Sequence, residues 1–78
     1  MSIKLIIIET IEYIENNLKE ELTAEILAKT VGYSKVHFSR LFIFVTGTTI
    51  YDYIVSRRLV HAAKEIQIAK IIAVQKVI

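Results

Sequence analysis

The chain has 78 residues, no cysteine, no proline and only two glycines, with a formal net charge of +2 at neutral pH. A chain of this length builds one domain with a small core. The absence of cysteine excludes disulfide bridges and cysteine-based metal sites, and two isolated histidines, His37 and His61, are poor zinc ligands. We therefore expect no metal and no cofactor. Charged residues interrupt every apolar stretch before it reaches the roughly 20 residues of a membrane span, so the sequence predicts a soluble, cytoplasmic protein.

The charges are distributed unevenly along the chain. Residues 1–28 carry six glutamates and two lysines, whereas residues 29–78 carry eight lysines and arginines and two acidic residues. The basic part is a candidate for contact with an acidic partner such as nucleic acid. A solvated surface of mixed charge explains the same pattern equally well, so charge alone does not decide.

The first predicted element is an amphipathic helix over residues 3–18. Apolar side chains recur at helical spacing along it, and its predicted inward face consists of Ile7, Ile11, Ile14 and Leu18. Glu9, Glu12 and Glu15 are expected to face outward.

The second predicted helix is short and spans residues 24–31. Thr23 is a suitable N-cap residue, and Leu22 and Leu27 have the spacing of a hydrophobic staple. Gly32 follows, and its tolerance of positive φ suits the end of a helix and a tight turn.

The third predicted helix spans residues 35–45. Ser34 is its predicted N-cap, Tyr33 and Phe38 form a second staple pair, and Gly47 ends it. The predicted inward face consists of Phe38, Leu41, Phe42 and Val45.

A capping box formed by Thr49 and Asp52 predicts the start of a fourth helix. No breaker follows, so this helix is expected over residues 50–67 or longer. Its predicted inner positions are Tyr53, Ile54, Leu59, Ala62, Ala63 and Ile66. The predicted fold class is therefore all-α, a small helical domain with a helix-turn-helix over residues 23–45 and a long C-terminal helix.

Two short helices joined by a glycine-containing turn are typical of a DNA-binding helix-turn-helix, in which the second helix enters the major groove. Such a helix needs one apolar face for anchorage and short or hydrogen-bonding side chains on the other. The third helix offers Lys35, Val36, Ser39 and Arg40 for that second face. We expect Arg40 to face a base edge. His37, next to the staple residue Phe38, is interpreted as a packing or partly exposed side chain.

The string "LTAEILAKTVGYSKVHFSRLFIFVTGTTIYDYIVSRRLVHAAKEI", residues 22–66, resembles the DNA-binding region of the AraC/XylS family of bacterial transcription regulators. The resemblance rests on the order of A-x-x-x-G-Y-S, F-S-R-L-F, T-G and Y-I-x-x-R-R-L-x-x-A-A. It implies that Val36, Ser39 and Arg40 contact bases. It also implies phosphate contacts at Lys35 and the start of the third helix, and it places Arg58 on a linker helix. Our candidate phosphate contacts are Lys35, Ser34 and, at the start of the fourth helix, Thr49.

The chain departs from the family pattern in two places. Ile43 and Phe44 stand where relatives usually carry basic or polar residues, so phosphate contacts expected there are missing. After "AAKEIQ" the family continues into a second helix-turn-helix, whereas this chain continues with "IAKIIAVQKVI". The sequence predicts a member whose second motif is truncated or degenerate. It also predicts that an apolar tail over residues 62–78 pairs the chain as a homodimer or with a second regulator chain.

Two function classes remain open from the sequence. The first is a DNA-binding module of a transcription regulator whose partner is double-stranded DNA. The alternative is an interaction protein that keeps the fold and pairs with itself or another regulator through apolar surface, an idea supported by a hydrophobic content of 54%. An enzyme is not expected, because the sequence offers no carboxylate pair, no nucleophile with a base and no phosphate-binding glycine loop. No site for a small-molecule effector is evident.

Overall fold

The computed structural model describes residues 2–77. Within this range the chain forms four helices and no strand: α1 (Ile3–Asn16), α2 (Ala24–Thr30), α3 (Lys35–Thr46) and α4 (Ile50–Val77). The predicted all-α fold class is confirmed. The predicted helix boundaries differ from these by one or two residues, and α4 extends well beyond residue 67.

Three hydroxyl side chains determine where α2, α3 and α4 begin. Thr23 Oγ1 accepts a hydrogen bond from the Ile26 amide at 3.1 Å, and Ser34 Oγ accepts one from the His37 amide at 3.2 Å. Thr49 Oγ1 accepts the Asp52 amide at 3.0 Å. Each bond satisfies an amide that has no partner inside its own helix. The three predicted N-cap bonds are confirmed, but the return bond of the predicted capping box, from the Thr49 amide to the Asp52 carboxylate, is not formed.

The turn between α2 and α3 is closed by backbone hydrogen bonds. The Gly32 amide donates to the Lys29 carbonyl at 3.2 Å, and the Tyr33 amide donates to the Ala28 carbonyl at 3.0 Å. This pair of bonds is a Schellman motif. It places Gly32 at a φ of +74°, a conformation that side chains with a Cβ rarely adopt. The glycine is therefore needed for the backbone conformation.

Helix α3 lies at the centre of the fold, where it packs against α1, α2 and α4. The buried apolar side chains form one cluster, which consists of Ile6, Ile7, Ile14, Leu27, Ala28, Phe38, Phe42, Ile50 and Ile54. Phe38 and Phe42 are fully buried, and their ring centroids are 6.5 Å apart. Phe42 also makes an edge contact with Tyr53 at 5.8 Å. The core is thus built around one face of α3.

Several predicted inner positions are wrong. On α3, Val45 is exposed rather than buried. On α4 the prediction holds for Ile54 and for the half-buried Tyr53, but the remaining positions are exposed: Leu59, Ala62, Ala63 and Ile66. The reason is that the buried cluster touches only the start of α4, and from Leu59 to Lys76 every residue is exposed.

The second part of α4 therefore contributes nothing to the core: His61 and Glu65 still reach Glu15 and Lys19 through their side chains, and the helix beyond Glu65 projects from the rest of the fold. We call residues 59–77 the α4 arm. The structure extends over 54 Å along its longest axis and only 21 and 19 Å along the others. No helix within residues 2–77 combines the length and the apolar character that crossing a membrane requires.

Candidate nucleic-acid interface

The outer face of α3 is open to solvent. Val36 and Arg40 are four residues apart, which places them above one another on the same side of the helix, and both are exposed. Phe38 and Phe42 occupy the opposite side and are buried in the core. Since its inner face is held by two buried aromatic rings, α3 presents Val36 and Arg40 on a firmly anchored helix.

The other predicted contact residues of α3 lie toward one flank. An α-helix turns by about 100° per residue, so Ser39 lies about 100° and Lys35 about 140° from Arg40 around the helix axis. Ser39 is half-buried and Lys35 is exposed. Lys35 lines a cleft together with Tyr51 at the start of α4. The predicted set therefore divides into a face, Val36 and Arg40, and a flank, Ser39 and Lys35.

The N-termini of α3 and α4 expose the capping hydroxyls of Ser34 and Thr49. Each oxygen accepts a backbone amide, and its hydroxyl hydrogen can still be donated to an anion. The first turn of α3 contains no acidic residue, whereas the first turn of α4 contains Asp52. Because a helix N-terminus attracts anions and a carboxylate there competes with them, the start of α3 is the better anion site.

The aromatic ring of His37 stacks on that of Tyr33, with centroids 5.0 Å apart and planes 7° from parallel. Tyr33 in turn meets the edge of Phe38 at 6.5 Å. The His37 side chain is thus part of the packing that joins the turn to the first turn of α3, and its exposed position leaves it at the border of the outer face.

Arg57 on α4 is engaged with α1. Its Nε donates to Oε1 of Glu15, and its Nη2 donates to Oε2 at 3.3 Å. The Tyr53 hydroxyl and His61 Nε2 each lie 3.4 Å from the same carboxylate. The hydrogen bond from Arg57 lowers the pKa of Glu15, whereas burial, with the negative charge of Glu15, raises the pKa of Tyr53. The prediction that Glu15 faces outward is therefore wrong.

Arg58 is engaged as well. Its Nε donates to the Leu18 carbonyl at 3.0 Å, and its Nη2 donates to the Glu20 carbonyl at 2.8 Å. These carbonyls belong to the segment that connects α1 to α2. The family resemblance places Arg58 on a linker helix, but neither of these internal partners was predicted. We call Arg57, Arg58 and their partners the α1–α4 bracket. Two of the eight positive charges in the basic part of the chain thus stabilise the fold.

Several curated bacterial proteins are similar to the chain, while no family model and no solved structure matches it. It is 42% identical over 65 residues to the transposon Tn10 TetD protein of Escherichia coli, an alignment that covers 83% of the chain and 47% of that protein. It is 40% identical over 67 residues to the regulatory protein SoxS of Escherichia coli strain K12, covering 86% of the chain and 63% of SoxS. It is 40% identical over 62 residues to the HTH-type transcriptional activator AarP of Providencia stuartii, covering 80% of the chain and 46% of AarP.

The chain thus spans about half to two thirds of the length of the curated relatives it matches. These relatives are AraC/XylS-type regulators, which agrees with the resemblance carried by residues 22–66. Nothing in the comparisons favours the alternative of an interaction protein. The order of motifs, the four helices and the relatives all lead to one conclusion: the chain belongs to the AraC/XylS family of transcription regulators.

Proposed function

We propose that residues 1–78 act as one helix-turn-helix domain that binds double-stranded DNA in a bacterial transcription regulator, with α3 in the major groove. The observation that carries the proposal is the outer face of α3, where Val36 and Arg40 are exposed directly opposite the buried Phe38 and Phe42. The names of the relatives, a regulatory protein and an HTH-type transcriptional activator, support it. A cytoplasmic location follows from this function, because bacterial DNA lies there.

Each contact residue has a distinct role in this proposal. Arg40 pairs with a guanine edge, Val36 makes apolar contact with a base, and Ser39 hydrogen-bonds from the flank. Phosphates are bound at the start of α3, where Ser34 offers its hydroxyl and Lys35 its charge. Thr49 is a further phosphate contact, weakened by the nearby Asp52.

A single helix-turn-helix, or head, binds DNA only weakly. A good arginine–guanine pair discriminates by about 1–3 kcal/mol, and non-specific binding has a Kd of roughly 10⁻⁴ to 10⁻⁶ M. Specific complexes reach about 10⁻⁸ M or better. The α1–α4 bracket weakens binding by one head further, since Arg57 and Arg58 are engaged within the fold and are not available to phosphates. Specific binding therefore requires a second head.

We propose that a second copy of the chain supplies that head, through pairing of the α4 arm. Five large aliphatic side chains along the arm are about half exposed: Ile66, Ile68, Ile71, Ile72 and Val74. A helix that is apolar on several sides is normally buried, and covering each such side chain is worth roughly 1.5–3 kcal/mol. Ile78, part of the same predicted surface, lies outside the described residues, as does the Val77 side chain.

Sedimentation equilibrium tests the pairing. We expect the full chain to sediment as a dimer and a chain ending at Gln67 to sediment as a monomer, with both retaining helical circular dichroism. If both chains are monomers, pairing through the arm is excluded.

Competition binding on a panel of duplexes tests the DNA contacts. Arg40→Ala should flatten discrimination among sequences, because it removes a base contact. Lys35→Ala should weaken binding to all sequences alike and reduce the salt dependence, because it removes a phosphate contact. Lys19→Ala is the matched control, since it removes an equal charge from a side chain that is 90% exposed outside α3. An unchanged ranking of duplexes in Arg40→Ala would contradict the assignment.

A further inference from the structure

The outer face of α3 carries apolar side chains that have no role in the DNA contacts proposed above. Phe44 is 85% exposed, and Ile43 is 46% exposed. Both follow Arg40 by one helical turn. At about 100° per residue, Ile43 lies about 60° to one side of Arg40 and Phe44 about 40° to the other. Arg40 is thus flanked on both sides by apolar side chains, and the buried Phe42 lies about 200° from it around the helix.

The surroundings of this apolar pair favour DNA over a protein partner. Ile43 and Phe44 share one helix face with the positively charged Arg40, and the first turn of that helix has no acidic residue. Lys35, about 140° from Arg40 around the helix, is the second positive charge of α3. An apolar surface beside a positive charge complements a polyanion that also presents apolar groups.

The major groove presents one such group. Among the edges of the four bases, the C5-methyl of thymine is the apolar feature, and phenylalanine and other apolar side chains contact it. We propose that Ile43 and Phe44 contact thymine methyl groups near the base that Arg40 reads, so that the outer face of α3 selects sites containing thymine as well as guanine. The inference rests on the proposed function.

The spacing along α3 sets where these thymines lie. From Arg40 to Phe44 the helix rises by about 6 Å, at roughly 1.5 Å per residue. Base pairs are stacked at about 3.4 Å. The thymines are therefore expected within about two base pairs of the position that Arg40 contacts.

The experiment uses the full chain and a duplex selected by it from a random pool. Each thymine of that duplex is replaced, one at a time, by deoxyuridine, which removes only the methyl group, and affinity is measured by fluorescence anisotropy. At one or two positions we expect binding to weaken about fourfold, the effect of losing burial of one methyl group.

Protein variants assign the effect to side chains. Phe44→Ala or Ile43→Ala should bind the thymine duplex more weakly and should lose the difference between thymine and deoxyuridine at one position. Ile8→Ala is the matched control, because it truncates an apolar side chain that is 52% exposed on α1, outside both α3 and the α4 arm. This control should keep the full difference. The exposure of Phe44 means that Phe44→Ala should remain folded, which circular dichroism checks.

The outcomes separate the inference from the proposed function. If the chain binds its selected duplex but is indifferent to every methyl group, the inference is wrong and DNA binding stands. The inference also fails if methyl discrimination survives in both Ile43→Ala and Phe44→Ala, or disappears only in Val36→Ala. If the chain enriches no sequence and binds no duplex, the proposed function fails and the inference fails with it.

Discussion

The two sides of α3 carry similar side chains in opposite surroundings. Phe42 has no exposed surface and contacts the rings of Phe38 and Tyr53, whereas Phe44, two residues later, is 85% exposed. Two residues correspond to about 200° around a helix, which is enough to move a ring from the core to the outer face. An apolar residue on α3 therefore has a structural or a binding role according to its position in the helical turn.

The strongest test of this difference applies one substitution to both rings. Phe42→Ala should lower the free energy of unfolding by about 3–5 kcal/mol, because it leaves a cavity in a small core, with nine buried apolar residues within the described part of the chain. Phe44→Ala should change it by less than about 0.5 kcal/mol, because an exposed ring loses few contacts. Urea unfolding followed by circular dichroism measures both values. Similar losses in the two variants would mean that the outer face is not a free surface.

A smaller effect is expected at the turn that orients both sides of α3. Gly32→Val should destabilise the fold by about 1 kcal/mol or more, because a Cβ is strained at a φ of +74°. An added Cβ would meet no other atom within 4 Å, so the cost comes from the backbone alone. Thermal unfolding of Gly32→Val, with Gly32→Asn as the control that tolerates this conformation better, measures it. A Gly32→Val protein as stable as the parent would show that the turn does not require glycine.

The smallest effect is expected away from α3, at the α1–α4 bracket. Because Arg57 lowers the pKa of Glu15, the charged form of Glu15 is favoured in the folded state. The stabilisation of the fold by this charge is complete above the ordinary carboxyl pKa. It is lost as the pH falls through the lowered pKa that Glu15 has in the folded state. Glu15→Gln should lower the unfolding temperature by a few degrees at pH 7. It should also reduce the further fall of the unfolding temperature as the pH is lowered. Glu12→Gln, an exposed position on the same helix, should do neither. Equal pH profiles for parent and Glu15→Gln would contradict the bracket.

Local sequence patterns were sufficient to predict where the helices begin and end. Thr23, Ser34 and Thr49 each cap the helix they were predicted to cap, because an N-cap bond involves residues only three apart. Gly32 and Gly47 end their helices at positive φ for similarly local reasons. The burial of Ile7 and Ile14 on α1 and of Phe38 and Phe42 on α3 followed from helical periodicity, whereas the burial of Ile6 and Thr10 was not predicted.

The contacts between distant parts of the chain did not follow from the sequence. Glu15 and Arg57 are separated by 42 positions, and a glutamate with helical spacing outward from an apolar stripe carries no sign of a specific partner. Leu59 and Ile66 were predicted to be inner residues because periodicity identifies an apolar side of a helix. Periodicity does not show whether another element reaches that far. The contact roles of Ser34, Lys35, Val36, Ser39, Arg40 and Thr49 stay predictions.

The α1–α4 bracket also fixes the rotation of α4 about its own axis. Arg57 and Arg58 are neighbours, so they leave the helix about 100° apart, and they bind different targets, the Glu15 carboxylate and the carbonyls of Leu18 and Glu20. One such anchor would allow the helix to roll around it, but two at different angles prevent rolling. Because α4 is one unbroken helix, the side chains of the α4 arm from Leu59 to Lys76 point in defined directions relative to α3. Whatever binds the arm is thereby held at a defined angle to the outer face of α3.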